Sequence, residues 1–162
     1  MASVLLQASG VRACLVVLAG TPFAVDVRAA KEIVVLEGCT AVPQGPPHLL
    51  GVANLRGVIL PLVDIRPLLG LAARRMNGRT TALVVSPAGQ PLAVAVDAVL
   101  GLESLGEPLP CSEGTRRTYG PYAQGLLPRG QGVVPLLNMP ALVEALRREA
   151  PRREPPAAGG GG

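Results

Sequence analysis

Residues 51–71 read Gly51-Val-Ala-Asn-Leu-Arg-Gly-Val-Ile-Leu-Pro-Leu-Val-Asp-Ile-Arg-Pro-Leu-Leu-Gly-Leu71. The order is strand, tight turn, strand and short helix. Gly57, after Asn54-Leu55-Arg56, can supply the positive φ that a tight turn needs. Val58-Ile59-Leu60 and Leu62-Val63 form an almost unbroken apolar run of strand length, which predicts a strand buried on both faces. Pro61 cannot donate a ladder hydrogen bond, so the strand is expected to bend there, as strands do at barrel corners. Asp64 is placed to cap a short helix through Leu69, stopped by Gly70. Arg56 then stands at a turn tip between two buried strands. A charge on so rigid a corner suits recognition better than structure.

The rest of the chain repeats this unit. Ala19-Gly-Thr-Pro-Phe-Ala-Val-Asp-Val-Arg-Ala29 returns as Ala88-Gly-Gln-Pro-Leu-Ala-Val-Ala-Val-Asp-Ala98, roughly seventy residues on. The strand before it matches too, Leu15-Val-Val17 against Leu83-Val-Val85, and Pro61 to Leu69 matches Pro135 to Val143. Gly125 to Gly130 stands where Gly51 to Gly57 stood. Each half holds about five short strands, too few for a broad sandwich sheet; the glycines and in-strand prolines suit tightly curled barrels. The expected organisation is a loose lead-in over 1–10, a folded region over 11–149 and a disordered Pro/Arg/Gly-rich tail over 150–162. The folded region divides into intertwined subdomains, 11–72 with the C-terminal helix and 80–137. Ala29 to Ile33 reads as a single helical turn or a bend before strand Val34-Val35-Leu36. Arg74 to Arg79 and Leu105 to Thr118 read as loops, and Asn138 caps a helix running to Glu149.

Composition removes several function classes. Hydrophobic residues are 49% of the chain, enough for a core, yet Phe23, Tyr119 and Tyr122 are the whole aromatic set. Base-stacking platforms for single-stranded nucleic acid are therefore missing. The net charge of +4 comes from scattered arginines, which read first as solvated surface; a small-barrel nucleic-acid-binding protein stands as the alternative reading. Cys14, Cys39 and Cys111 have no CxxC spacing and His48 is the sole histidine, which argues against a metal centre; Cys14 lies in an apolar strand as plain core. Met1 to Gln7 has no basic leader region and no apolar run approaches membrane-spanning length, so a reduced cytoplasmic protein without membrane insertion is expected. No nucleophile elbow, P-loop or dinucleotide fingerprint occurs, and the few carboxylates stand at the edges of apolar runs, where caps and turn bonds are the commoner role. The expectation is a binding protein without catalytic groups, cofactor or small-molecule substrate.

Asn54-Leu55-Arg56-Gly57, Pro61, Val63-Asp64-Ile65-Arg66 and Gly70-Leu71 together resemble the signature of the CheW family, the coupling proteins of bacterial chemotaxis arrays. The resemblance extends over about residues 12 to 148. It implies a mainly β fold: two tandem five-stranded SH3-like β-barrels with short helices and a C-terminal helix. It also implies a non-enzymatic adaptor that joins the cytoplasmic tip of a chemoreceptor to the regulatory domain of a CheA-type histidine kinase, in the cytoplasm beside membrane-bound receptor arrays. The family's turn arginine corresponds to Arg56, with Asn54 in the same turn, and its Val-x-Glu-Ile segment to Ala30-Lys31-Glu32-Ile33. The implied receptor-binding residues are thus Arg56, Glu32, Ala30 and Asn54, with Val99 and Leu102 as seam positions of the second barrel. Gly51 and Val52 are the implied kinase-binding residues. The chain departs from the family pattern at Ala30, a smaller residue than usual, at Gly101, which breaks an acidic pattern, and at Asn138, where an aspartate is usual.

Overall fold

The computed structural model describes residues 10–73 and 78–149; most of the expected lead-in, part of the 74–79 loop and the tail over 150–162 lie outside the described residues. The strands are β1 (Val11–Leu18), β2 (Thr21–Asp26), β3 (Ala30–Leu36), β4 (Leu49–Leu55), β5 (Val58–Val63), β6 (Thr80–Val85), β7 (Leu92–Val96), β8 (Ala98–Leu105), β9 (Ala123–Arg129) and β10 (Gly132–Leu137). A 3-10 helix spans Arg66–Leu69, α1 spans Glu113–Tyr119 and α2 spans Met139–Glu149.

The strands form two five-stranded sheets, ordered β8-β1-β2-β10-β9 and β3-β6-β7-β5-β4. In each, the two edge strands return against one another, so both sheets curl in the barrel-like manner the sequence implies. The sheets do not follow the division at 11–72 and 80–137. Hairpin β1–β2 belongs with β8 to β10, and hairpin β6–β7 with β3 to β5. Each repeat therefore gives its first hairpin to the sheet of the other. The joints are four pairings: the antiparallel ones of β1 with β8 and β6 with β3, and two short parallel ones, Leu62 with Ala93 and Leu136 with Ala24. In both cases the preceding residue is the in-strand proline, Pro61 or Pro135. Up to Pro61, β5 is paired with β4 alone; after it the strand also reaches β7. The proline bends the strand from a two-stranded ribbon into the sheet.

The repeats are related by a pseudo-two-fold that the backbone obeys closely. Asp64 N–H donates to the His48 carbonyl at 2.8 Å, and Asn138 N–H to the Tyr122 carbonyl at 2.8 Å. Ala19 and Gly20 have φ of 50° and 80°; Ala88 and Gly89 have 52° and 78°. This relation corrects the strand match made from sequence by one residue. Cys14, not Leu15, is the counterpart of Leu83: both face the centre of the molecule, whereas Leu15 and Val84 face the two sheet interiors. A one-residue slip exchanges the faces, and continuous aliphatic runs conceal it.

Those runs are continuous because both faces are buried. One interior holds Ala13, Leu15, Ala24, Leu127, Val134 and Leu136; the other holds Val34, Leu60, Leu62, Ala82, Val84 and Ala95, among others. The largest cluster lies between the sheets, where Cys14, Val16, Phe23 and Val25 meet Leu83, Val85, Val94 and Val96. The 3-10 helix and α2 close this seam with Leu69, Met139 and Leu142.

Several local expectations change. Val58 and Ile59 are exposed, not buried, because that end of β5 pairs only with β4. Residues 30–33 are strand, with a bulge at Lys31 in the pairing of β3 with β6, rather than a helical turn. The helix after Asp64 is 3-10 and begins at Arg66; the Asp64 carboxylate accepts from Arg66 N–H at 3.0 Å. The 105–118 segment holds all but the last residue of α1, which is fixed by its Ser112 cap on Thr115 N–H at 3.1 Å and by the Arg117–Glu113 pair at 2.6 Å. None of its residues is buried, so it has no apolar stripe for a periodicity argument to find.

Arg66 is the largest fully buried side chain. Its guanidinium donates to Asp64 at 2.9 Å and to Asp97 at 2.6 Å, and Asp97 also accepts from Ala19 N–H at 2.5 Å. The network ties β5, the β7–β8 crossing and the β1–β2 turn together. Arg66→Ala removes the cation from the buried Asp64 carboxylate and from the partly exposed Asp97, and is expected to cost about 3 kcal/mol, read from urea unfolding. A loss below about 1 kcal/mol would show that the network holds nothing together.

Candidate functional site

Asn54, Leu55, Arg56 and Gly57 build the corner of the β4–β5 hairpin. Leu55 pairs with Val58, leaving a two-residue loop in which Arg56 and Gly57 have φ of 50° and 86°. Both residues occupy the left-handed region that such a loop demands; glycine takes it freely, arginine at a cost of about 1 kcal/mol. The Asn54 side chain accepts from Gly57 N–H at 2.8 Å and fixes the turn. Asn54 therefore positions Arg56.

Arg56 reaches across the open edge of its sheet to Glu32 on β3, with a 2.5 Å guanidinium–carboxylate contact. Two residues chosen separately from sequence are thus one ion pair. It joins β3 to the hairpin at the far edge, as Glu103–Arg129 joins β8 to β9 at 3.0 Å in the other sheet. The difference is exposure: the Arg56 side chain is 68% exposed and that of Arg129 39%, so Arg56 keeps donors for a partner.

Beside Glu32 lies a groove between the two sheets, lined by Ala30, Glu32, Ile33, Cys14, Leu83 and Leu102, among others. Leu102 pairs with Cys14, and Ile33 with Leu83. These two pairs are counterparts under the pseudo-two-fold, so the groove lies on its axis. Ile33 and Leu102 are exposed large apolar side chains on its rims. In sequence, residues 29–33 read as a helical turn or bend, which hides the alternation that turns Ile33 outward. Val99 is half-buried against the central cluster and supports the groove without lining it. The counterparts of Glu32 and Arg56 are Gly101 and Gly130, so only one side of the axis carries this ion pair.

Gly51 is buried, and a Cβ there would come within 2.6 Å of the Thr40 carbonyl oxygen and 2.8 Å of the Cys39 sulfur. It presents no side chain; it lets residues 39–40 lie against β4, where Thr40 and Val52 bridge. Val52 is half-buried and shares the outer face of the hairpin with Asn54, Ile59 and Pro61. Among the described residues no group of three or more His, Cys, Asp or Glu side chains is arranged to hold a metal, and no helix is long and apolar enough to cross a membrane. Of the exposed arginines among the described residues, Arg28, Arg56, Arg79, Arg117, Arg129 and Arg148 each have a carboxylate partner, while Arg12, Arg116 and Arg147 do not.

A family model of the CheW-like domain matches residues 12–147. The chain belongs to the CheW-like domain family. Over 130 residues it is 28% identical to a probable chemotaxis protein CheW of Rhizobium etli, covering 79% of this chain and 84% of that one. A chemotaxis protein CheW of Helicobacter pylori is 43% identical over 63 residues, 39% of this chain and 38% of the relative. Among solved structures, the scaffolding protein TtCheW from Thermoanaerobacter tengcongensis shares the fold with a TM-score of 0.69 and 22% identity, covering 80% of this chain and 85% of that one. The mainly β CheW-like architecture implied by the turn and proline signature is the one observed.

Two outcomes follow for this CheW-like chain. The Glu32–Arg56 pair is solvent-exposed, so a double-mutant cycle on E32A and R56A should return a coupling below about 1 kcal/mol; a larger value would make the pair chiefly structural. Burial raises the Cys14 thiol above its ordinary value, and the side chain is 1% exposed. Iodoacetamide should therefore alkylate Cys39 and Cys111 well before Cys14, read by peptide mass mapping. Cys14 reacting first would show the groove floor open to solvent.

Proposed function

We propose that the chain is a non-enzymatic adaptor that couples chemoreceptors to a CheA-type histidine kinase in bacterial chemotaxis or motility signalling, working in the cytoplasm at receptor arrays. The observation that carries this reading is the exposed Glu32–Arg56 pair at the rim of the inter-sheet apolar groove, in a chain of the CheW-like family. A receptor tip is a helical hairpin, and a groove with apolar rims accepts one apolar face of a helix. Ala30, Ile33 and Leu102 supply the apolar contact, and Val99 backs it. Arg56, aimed by Asn54, exchanges part of its contact with Glu32 for a charge-assisted hydrogen bond to a helix carboxylate or carbonyl. Glu32 keeps the guanidinium oriented before the partner arrives. Because only one side of the pseudo-two-fold carries the pair, the hairpin has one preferred direction across the groove.

The kinase contact in this reading is a separate patch on the outer face of the β4–β5 hairpin, where Val52, Ile59 and Pro61 form an apolar strip that Gly51 supports from behind. The nucleic-acid alternative draws no support from the exposed arginines, most of which are locally paired.

Arg56→Glu loses the exposed pair with Glu32 and sets two carboxylates near each other, and should cost no more than about 1 kcal/mol of unfolding free energy. In a reconstituted receptor–kinase assay it should abolish receptor-dependent kinase control. The exchanged variant E32R/R56E rebuilds an ion pair between the same positions with the charges reversed. Docking through Arg56 predicts that coupling stays lost in it. Recovery of coupling in E32R/R56E, or its survival in Arg56→Glu, would reduce the pair to a sheet clasp.

A further inference from the structure

The two repeats share a backbone but differ in what fills one site. In the first repeat the site is occupied by the Arg66 guanidinium, 1% exposed, between Asp64 and Asp97. Under the pseudo-two-fold, Pro140 stands in place of Arg66, Asn138 in place of Asp64 and Arg28 in place of Asp97. The buried cation is lost from the second repeat, and the acid that faced it has become a cation. What remains is a cavity of about 420 Å³ between the β2–β3 corner, the β6–β7 turn and α2. Ala29, Val85, Pro87, Met139 and Val143 give it apolar walls.

The rim is charged. Arg28 is bound to Asp26 at 2.7 Å, and Glu144 faces Arg148 at 3.6 Å, so those charges are locally balanced. Lys31 and Arg147 also line the cavity, and among the described residues neither has a carboxylate partner. Two uncompensated cations above an apolar hollow describe a site for an anion with an apolar body. The volume falls within the range of small-molecule sites, which run from about 300 to 1,000 Å³.

We infer that this cavity, the vacated counterpart of the Arg66 site, binds a small organic anion: a carboxylate or phosphate on a compact apolar stem. The head group takes charge-assisted hydrogen bonds from Lys31 and Arg147, with the Ser86 hydroxyl beside them. The stem lies along Val85, Met139 and Val143. Ala29 and Lys31 flank Ala30, so the occupant sits against the strand that carries Glu32 and Ile33.

The test is a titration of the isotope-labelled full chain with hexanoate, hexyl phosphate and the neutral hexanamide, following amide shifts of Lys31, Val85, Ala88 and Val143. Saturable shifts are expected with at least one anion, which also identifies the preferred head group, and binding about tenfold tighter than that of hexanamide, the value of one good charged contact. K31A/R147A should remove that preference. R28D/P140R recreates the first repeat's filling and should abolish binding; V143W fills the cavity without altering charge and should do the same. The inference is overturned if neither anion saturates the shifts, if hexanamide binds as well as the anions, or if binding persists in both R28D/P140R and V143W.

Discussion

The fold depends on the exchange of hairpins between the repeats, in which each donated hairpin is gripped on both sides: by a long antiparallel pairing, β1 with β8 or β6 with β3, and by a short parallel one, Leu136 with Ala24 or Leu62 with Ala93. A repeat alone would be a sheet without its leading pair of strands, with an aliphatic face open to water. Exchange lets the outer face of each donated hairpin meet its counterpart, and that meeting is the largest apolar cluster in the molecule. The prolines before Leu62 and Leu136 mark the bends after which β5 and β10, still paired within their own hairpins, also meet the donated strand. The Arg66 network locks one of the two crossings; at the other the corresponding space is open.

The groove is a product of the same exchange. Because hairpins cross between sheets, β1 and β6 lie centrally, and β8 and β3 pair along their outer edges. Cys14 and Leu83 become its floor, and Leu102 and Ile33 its rims. A surface on a pseudo-two-fold axis has no intrinsic direction. Direction comes from chemistry, from Glu32 and Arg56 on one side and Gly101 and Gly130 on the other. This is how a duplicated scaffold acquires a groove whose two sides differ in charge placement, with Glu32–Arg56 on one and Glu103–Arg129, set at other positions, on the other.

Much of this was legible in the residues. The Asn54-to-Gly57 turn, the in-strand prolines and the recurring hairpins carried the fold, because turn and proline chemistry is local. Arg56 and Glu32 emerged from the family signature as separate candidates; their pairing was invisible, since it spans the open edge of a curled sheet. The sequence implied intertwined subdomains, but which hairpin crosses between them was hidden for a related reason. Strands β1, β2, β6 and β7 are apolar on both faces, and such strands state that they are buried but not beside what. Helix α1 escaped because caps and exposed ion pairs, not apolar spacing, hold it. Gly51 was read as a contact residue, yet its place is set by the Thr40 carbonyl oxygen, a neighbour eleven residues away that spacing alone does not announce.

The claim that the axis groove is the receptor-docking surface is tested most directly by methyl NMR of the full chain with a receptor-tip fragment. The account predicts broadening or shifts at Ile33 and Leu102, with Ile59 and Val133, exposed elsewhere, unchanged. Perturbation confined to Ile59 and the hairpin face, with Ile33 and Leu102 silent, would contradict it.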